Sequence, residues 1–187
     1  MKIYSSLCVI ISVSLLFIYG CVPISKEAEK KFLQRTGPFS VTVFPVNIVT
    51  RDSTEHDTIL AKRIIEFLKN EKLADGILAD KPAEFNFERS PNQAKMASNS
   101  GRAFIEIIKS KKLDTDYALL VDILWFGRNV YGVHFYLTDR DGRIASFGLT
   151  NSHWEEFKKV NPIGRSDGCT IAELMMKRLW GGVSYKD

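Results

Sequence analysis

The chain is poor in the residues that usually announce chemistry. It has three cysteines, three histidines and six prolines in 187 residues. Three cysteines form at most one disulfide, so covalent cross-links do not make this fold. His56, His134 and His153 stand far apart in sequence and none has a second ligand at i+2 or i+4, so no metal spacing is present and no cofactor is implied. Excess charge is also missing. The formal net charge of +4 is spread along the chain, with small clusters at Lys26-Lys30-Lys31 and Lys109-Lys111-Lys112. Nucleic acid is therefore excluded as a partner. Low-complexity tracts and internal repeats are absent too. What remains is 45% hydrophobic and 11% aromatic, enough for a packed core without metals or disulfides.

The one strongly apolar run lies at the start. Met1-Lys2 is followed by an apolar stretch, interrupted by Ser5, Ser6, Ser12 and Ser14, that ends at Ile18-Tyr19-Gly20-Cys21. A charged start, a short apolar stretch and a small residue before the break describe a secretory signal peptide, and the serines make a spanning helix a poor fit. Ile18-Tyr19-Gly20-Cys21 also resembles the bacterial lipobox. The resemblance implies cleavage before Cys21 and acyl chains, palmitate among them, on that cysteine. The chain would then be held on a membrane by lipid. Val22, in place of an aspartate, implies by analogy the outer membrane with the domain on its periplasmic face. Cys8 would leave with the signal peptide, and Cys169 then stands alone as a small residue beside a helix start.

Residues 1–20 are thus expected to be the signal peptide, residues 21–38 the lipidated N-terminus and a solvated tether, and residues 39–187 one periplasmic domain. Its class is α/β (α+β), a mixed β-sheet flanked by helices in the order β-α-β-α-β-β-β-α. Phe39 to Val46 alternates and is β-branched, as in a first strand. Thr54 to Asp57 has the form of a capping box, opening a helix through about Lys72 with Leu60, Ile64, Phe67 and Leu68 on one face. Ile77-Leu78-Ala79 reads as a short strand. Ser90-Pro91 reads as the start of a second helix, whose small face (Ala94, Ala97, Gly101) would let it approach the sheet closely, with a break near Asn99 allowed by Gly101. Asp116 to Leu124 is apolar on both faces, as in a central strand. Val130 to Leu137 and Arg143 to Thr150 form a hairpin about Asp139-Arg140-Asp141-Gly142, where a calcium loop would need ligands that are missing. An irregular stretch follows through Pro162. Gly164 to Gly168 reads as a connector rather than an anion loop. The last helix, capped by Thr170 and Glu173, carries Ile171, Leu174, Met175 and Leu179.

Val41-Thr42-Val43-Phe44-Pro45, the helix of Leu60 and Ile64, Asp114-Thr115-Asp116-Tyr117-Ala118-Leu119-Leu120-Val121 and the hairpin Tyr136 to Ala145 together resemble a family of periplasmic α/β domains. The family occurs at the N-terminus of TolB and in lipoproteins such as the peptidoglycan-synthase activator LpoB and the curli secretion protein CsgG. The resemblance implies a non-catalytic docking domain and transfers no catalytic residue. No segment is long enough for the membrane hairpins of a secretion pore.

Two places bear on function. Asp122, a charge inside an apolar strand, requires an edge or a hydrogen-bond partner, with a functional carboxylate as the alternative. Trp125, Phe126 and Arg128 lie where a turn is ordinarily polar. Adjacent strand residues face opposite ways, so one ring packs under a helix on the second face or stays at the surface as a partner anchor. The expected function is a membrane-anchored binding or assembly accessory in the cell envelope with an envelope protein as partner. An envelope hydrolase or other enzyme is the first rival and a structural subunit of a secretion complex the second. A buried cluster of Asp122 with a histidine would favour the enzyme, and an exposed apolar patch at Trp125 and Phe126 would favour docking.

Overall fold

The computed structural model describes residues 22–127, 129–160 and 168–180. The signal peptide, Cys21, Arg128 and residues 164–167 lie outside the described residues. Along the chain run α1 (Lys26–Leu33), β1 (Phe39–Val43), β2 (Val46–Val49), β3 (Thr54–Asp57), α2 (Thr58–Asn70), β4 (Ala74–Leu78), α3 (Gln93–Lys109), β5 (Tyr117–Phe126), β6 (Asn129–Asp139), β7 (Ile144–Asn151), α4 (Glu155–Val160) and α5 (Gly168–Trp180). The fold is a single mixed sheet of seven strands with helices on both faces, the expected class. No helix among the described residues is long and apolar enough to cross a membrane.

β5 organises the sheet. Its alternate residues serve two cores: Tyr117, Leu119, Val121 and Ile123 face α1, α2 and α5, while Ala118, Leu120 and Leu124 face α3 and the segment before it. β6 runs antiparallel along one edge of β5 for its whole length, so β1 and β2, both parallel to β5, share the other. They are one strand broken at Phe44-Pro45. Between Val43↔Leu119 and Asn47↔Asp122, residues 44–46 stand opposite 120–121, so the break is a bulge. The Phe44 N–H still donates to the Leu119 carbonyl at 2.9 Å, and Pro45, without an N–H, takes the position that needs none.

Several expected boundaries move. Thr54–Asp57 is an edge strand antiparallel to β2, not a capping box. The helix starts at Thr58, capped by Asp57 and not by Thr54, and the Asp57 Oδ1 accepts from the Ile59 and Leu60 N–H groups at 2.8 and 2.9 Å. The unpaired side of β2 takes up this polar segment before the cap can act. The second helix begins at Gln93 with Asn92 as its cap, and Ser90 only accepts from the Asn92 N–H. It runs unbroken through Gly101. A Cβ there would lie 3.1 Å from the Tyr136 ring, so glycine sets the close approach of α3 to β6. Thr170 lies inside α5 instead of capping it. Its hydroxyl accepts from Arg63, which also pairs with Glu173 at 2.9 Å, tying α2 to α5. The stretch expected to be irregular contains α4. The β6–β7 hairpin closes as expected, with Gly142 at φ +72°.

The largest departure is at the N-terminus. Residues 22–36 are not a solvated tether. The Ser25 N–H donates to the Ile144 carbonyl at 2.9 Å, and Ile24 forms a bridge with Ile144. α1 then buries Ala28 and Phe32 in the core. Phe32 meets Phe39, Tyr117 and Trp180 edge-to-face at 5.2, 5.4 and 5.8 Å. Two apolar residues four apart in a charged sequence are a narrow stripe, yet enough to pin a short helix.

Candidate functional site

Two regions stand out, and they contrast in position and chemistry. The first is a polar network centred between α3 and the sheet. Asp122 on β5 lies directly opposite His134 on β6, and both point toward α3. Neither is exposed to solvent. The Asp122 carboxylate accepts from Asn47 Nδ2 at 2.8 Å and from Ser100 Oγ at 2.6 Å. Asn47 Oδ1 in turn meets His56 Nδ1 at 2.8 Å, which places His56 on the edge strand β3 and not in a helix turn. His134 Nδ1 lies 3.2 Å from the Tyr136 hydroxyl and 3.9 Å from Asp122 Oδ2. Gln93 Nε2 contacts His134 Nε2 at 3.0 Å and donates to the Thr150 carbonyl at 3.0 Å. Burial, with the Asp122 charge second, pushes the Tyr136 phenol well above its ordinary range, so it stays protonated and available as a donor.

Asp122 thus has the hydrogen-bond partners its position demands. The cluster with a histidine that would favour an enzyme is present; Asp122, His134 and Tyr136 are fully buried, and the network reaches solvent through the exposed His56. His153 is elsewhere, exposed and edge-on to Tyr131 at 6.3 Å. No group of His, Cys, Asp and Glu able to hold a metal is found among the described residues. Cys169 is a free thiol buried in the core beside the Leu60 carbonyl and Glu173.

The second region is apolar and open. It lies where β5 turns into β6. Trp125 is half-buried against the α2/α5 core, whereas Phe126 is 75% exposed. A shallow groove of about 250 Å³ runs from Phe126 past Val130 and Tyr131 to Phe157 on α4. Phe157 also lines a larger groove of about 620 Å³, between the outer part of β7 and α5, with Leu149, Trp154, Leu174 and Leu179. Trp154, Leu174 and Leu179 are each more than 40% exposed. Leu174 and Leu179, expected as core positions of the last helix, are corrected to groove wall. Cys169, Ala172, Met176 and Trp180 form the buried stripe, with the Trp180 indole donating to Ser146 Oγ at 2.9 Å. The largest ring at the helix end chooses the face.

β7 borders this groove as an edge strand. β6 occupies one side, and on the other its only partner among the described residues is the Ile24 bridge at Ile144. From Ala145 to Asn151 it carries neither charge nor proline. Edge strands are ordinarily guarded by such residues.

No family model matches this chain, and no curated protein matches it. Among solved structures, it is similar to the LpoB C-terminal domain from Salmonella enterica, with TM-score 0.38 and 17% identity over 66% of this chain and 91% of that one. A PelC dodecamer from Paraburkholderia phytofirmans gives TM-score 0.36 and 17% identity, covering 80% and 94% of the two chains. A hypothetical protein from Chlamydia trachomatis gives 0.29 and 16%, covering 78% and 93%. At TM-scores of 0.38 and below, these likenesses carry no argument about what this chain does.

Proposed function

We propose that this protein is a lipid-anchored, non-catalytic accessory of the bacterial envelope, held by acyl chains on Cys21, that docks an envelope protein at the apolar surface between Phe126 and the β7–α5 groove. The observation carrying the reading is that surface. Phe126, Trp154, Leu174 and Leu179 border two adjoining grooves beside the outer end of β7, beyond the end where α1 packs on that strand. An extended apolar segment suits it best, because it could pair with β7 while setting alternate side chains into the groove. The lipobox-like Ile18-Tyr19-Gly20-Cys21 supports the anchor, and Val22 the outer membrane with the domain in the periplasm.

An enzyme built on Asp122, His134 and Tyr136 is the second reading, favoured by their proximity alone. With no exposure, these groups reach no substrate unless the α3 face opens. The test is made on protein purified from membranes. Mass spectrometry should find acyl chains on Cys21, and an envelope partner retained by the native chain should be lost from Phe126→Ala and Trp154→Ala variants that still melt cooperatively. An unmodified mature N-terminus, or full retention by both variants, contradicts the reading.

A further inference from the structure

The residues between Cys21 and the domain leave no slack. Val22 is half-buried and packs beside Gly101 on α3 and the cluster of Tyr136 and Ile144. Two residues on, Ile24 is bridged to Ile144, and Ser25 bonds to its carbonyl at 2.9 Å. Ser25 also caps α1, its Oγ accepting from the Ala28 N–H at 3.3 Å, and α1 is fixed by Phe32. The packed surface thus begins at Val22, the residue that follows Cys21 in sequence.

We infer that the lipid on Cys21 seats the domain directly against the bilayer at the Val22–Ile144 corner, and that the partner docked at the Phe126 surface is therefore a protein held in or on the same membrane. The inference rests on the lipid-anchor reading. Its geometry comes from the hairpin. Ile144 opens β7 at the anchored corner, paired with Thr138, whereas Gly132↔Asn151 and Phe126↔Asn129 mark the other end. At about 3.3 Å per strand residue, β7 carries the docking surface roughly 23 Å from the corner, a distance the rigid sheet fixes. A free linker of about 15 residues would add some 20 Å of wandering reach and uncouple the docking surface from a fixed distance to the membrane; the packed α1 removes it. The exposed residues at the corner include apolar and basic side chains suited to a lipid surface, beside Glu27, whose charge Arg143 meets at 3.3 Å. Pro23 and Ile24 are apolar and exposed, and the exposed Lys26 follows, a cation for anionic headgroups.

The test uses the acylated protein from membranes, reconstituted in vesicles of phosphatidylethanolamine and phosphatidylglycerol with a quencher in the headgroup layer. A fluorophore is placed at Ile24→Cys, at Lys26→Cys as a second corner variant, or at Asn129→Cys at the far end; Cys169 is buried and does not compete. Quenching should be several-fold stronger at 24 and 26 than at 129. Inserting about twelve Gly and Ser residues between Cys21 and Val22 should remove the difference. Equal quenching at both ends, with the acyl mass confirmed on Cys21, overturns the seating and leaves the anchor standing. Absence of the acyl mass overturns the anchor, and the seating with it.

Discussion

The α3 face and the far end of the hairpin invert the usual arrangement in opposite ways. Under α3, charged and polar groups lie where side chains are ordinarily apolar, and they are knit together: Asp122 to Asn47 and Ser100, Asn47 to His56, His134 to Tyr136 and Gln93. Around Phe126, large apolar groups lie where side chains are ordinarily polar, and no described residue covers them. Asp122 has its partners in place, although Gln93 Oε1 has none, and the first consequence of the network is to fix the register of β5, β6 and α3. An exposed apolar group keeps its full unfavourable contact with water until something covers it. The difference argues that architecture resides in the first region and recognition in the second.

Substitutions can break that contrast or sharpen it. The largest effect is expected from Phe32→Ala, which should lower stability by about 3–5 kcal/mol in urea melts, since the ring is fully buried among aromatics. A change within error would return α1 to the status of a tether. Asp122→Ala strands the Asn47 amide and the Ser100 hydroxyl and should cost about 3 kcal/mol, at about 1–3 kcal/mol per unsatisfied group. Loss of partner retention in an Asp122→Ala chain that melts like the native one would move recognition into the network. Phe126→Ala should change stability by less than about 0.5 kcal/mol, as for an exposed side chain. A large loss would show the ring to be core and end its candidacy as an anchor. The smallest effect concerns Asp116. Hydrogen bonding from Ser40 foremost, then the Arg140 charge, holds its carboxyl below the usual range against some desolvation. A lowered native value stabilises the fold above the ordinary carboxylate range, and that contribution is lost as pH falls through the lowered value. Ser40→Ala should therefore raise the Asp116 value in an NMR titration and weaken this acid sensitivity; no upward movement would deny Ser40 its role.

Much of the architecture was legible because it rests on periodicity: the two-faced β5, the hairpin about Gly142 and the amphipathic α2 and α3 follow from residue spacing. What was hidden depends on long-range competition. Counting back from the pair Phe126↔Asn129 sets Asp122 opposite Val133; the irregularity between Leu124 and Trp125 shifts the partner to His134. One extra residue therefore decides whether the carboxylate meets a histidine, and a single sequence does not reveal it. α1 was hidden because Ala28 and Phe32 are a weak stripe until Phe39, Tyr117 and Trp180 supply the pocket. The groove was hidden because α5 offers more apolar residues than one face can bury, and only the packing of Trp180 settles which ones remain outside. Trp125 and Phe126, by contrast, were legible as a pair that must divide. The structure packs the first and exposes the second.

The most direct test of the account is photocrosslinking in intact envelopes. A benzophenone-bearing phenylalanine analogue replaces Phe126 in one chain and Ile59, on α2, in another; both positions are highly exposed, 75% and 77% in the native fold. The account predicts a discrete adduct with a membrane-held envelope protein from position 126. It should vanish when Trp154→Ala is added, and no such adduct should form from position 59. Indistinguishable adduct patterns from the two positions would contradict the claim that the Phe126 surface is where this protein binds.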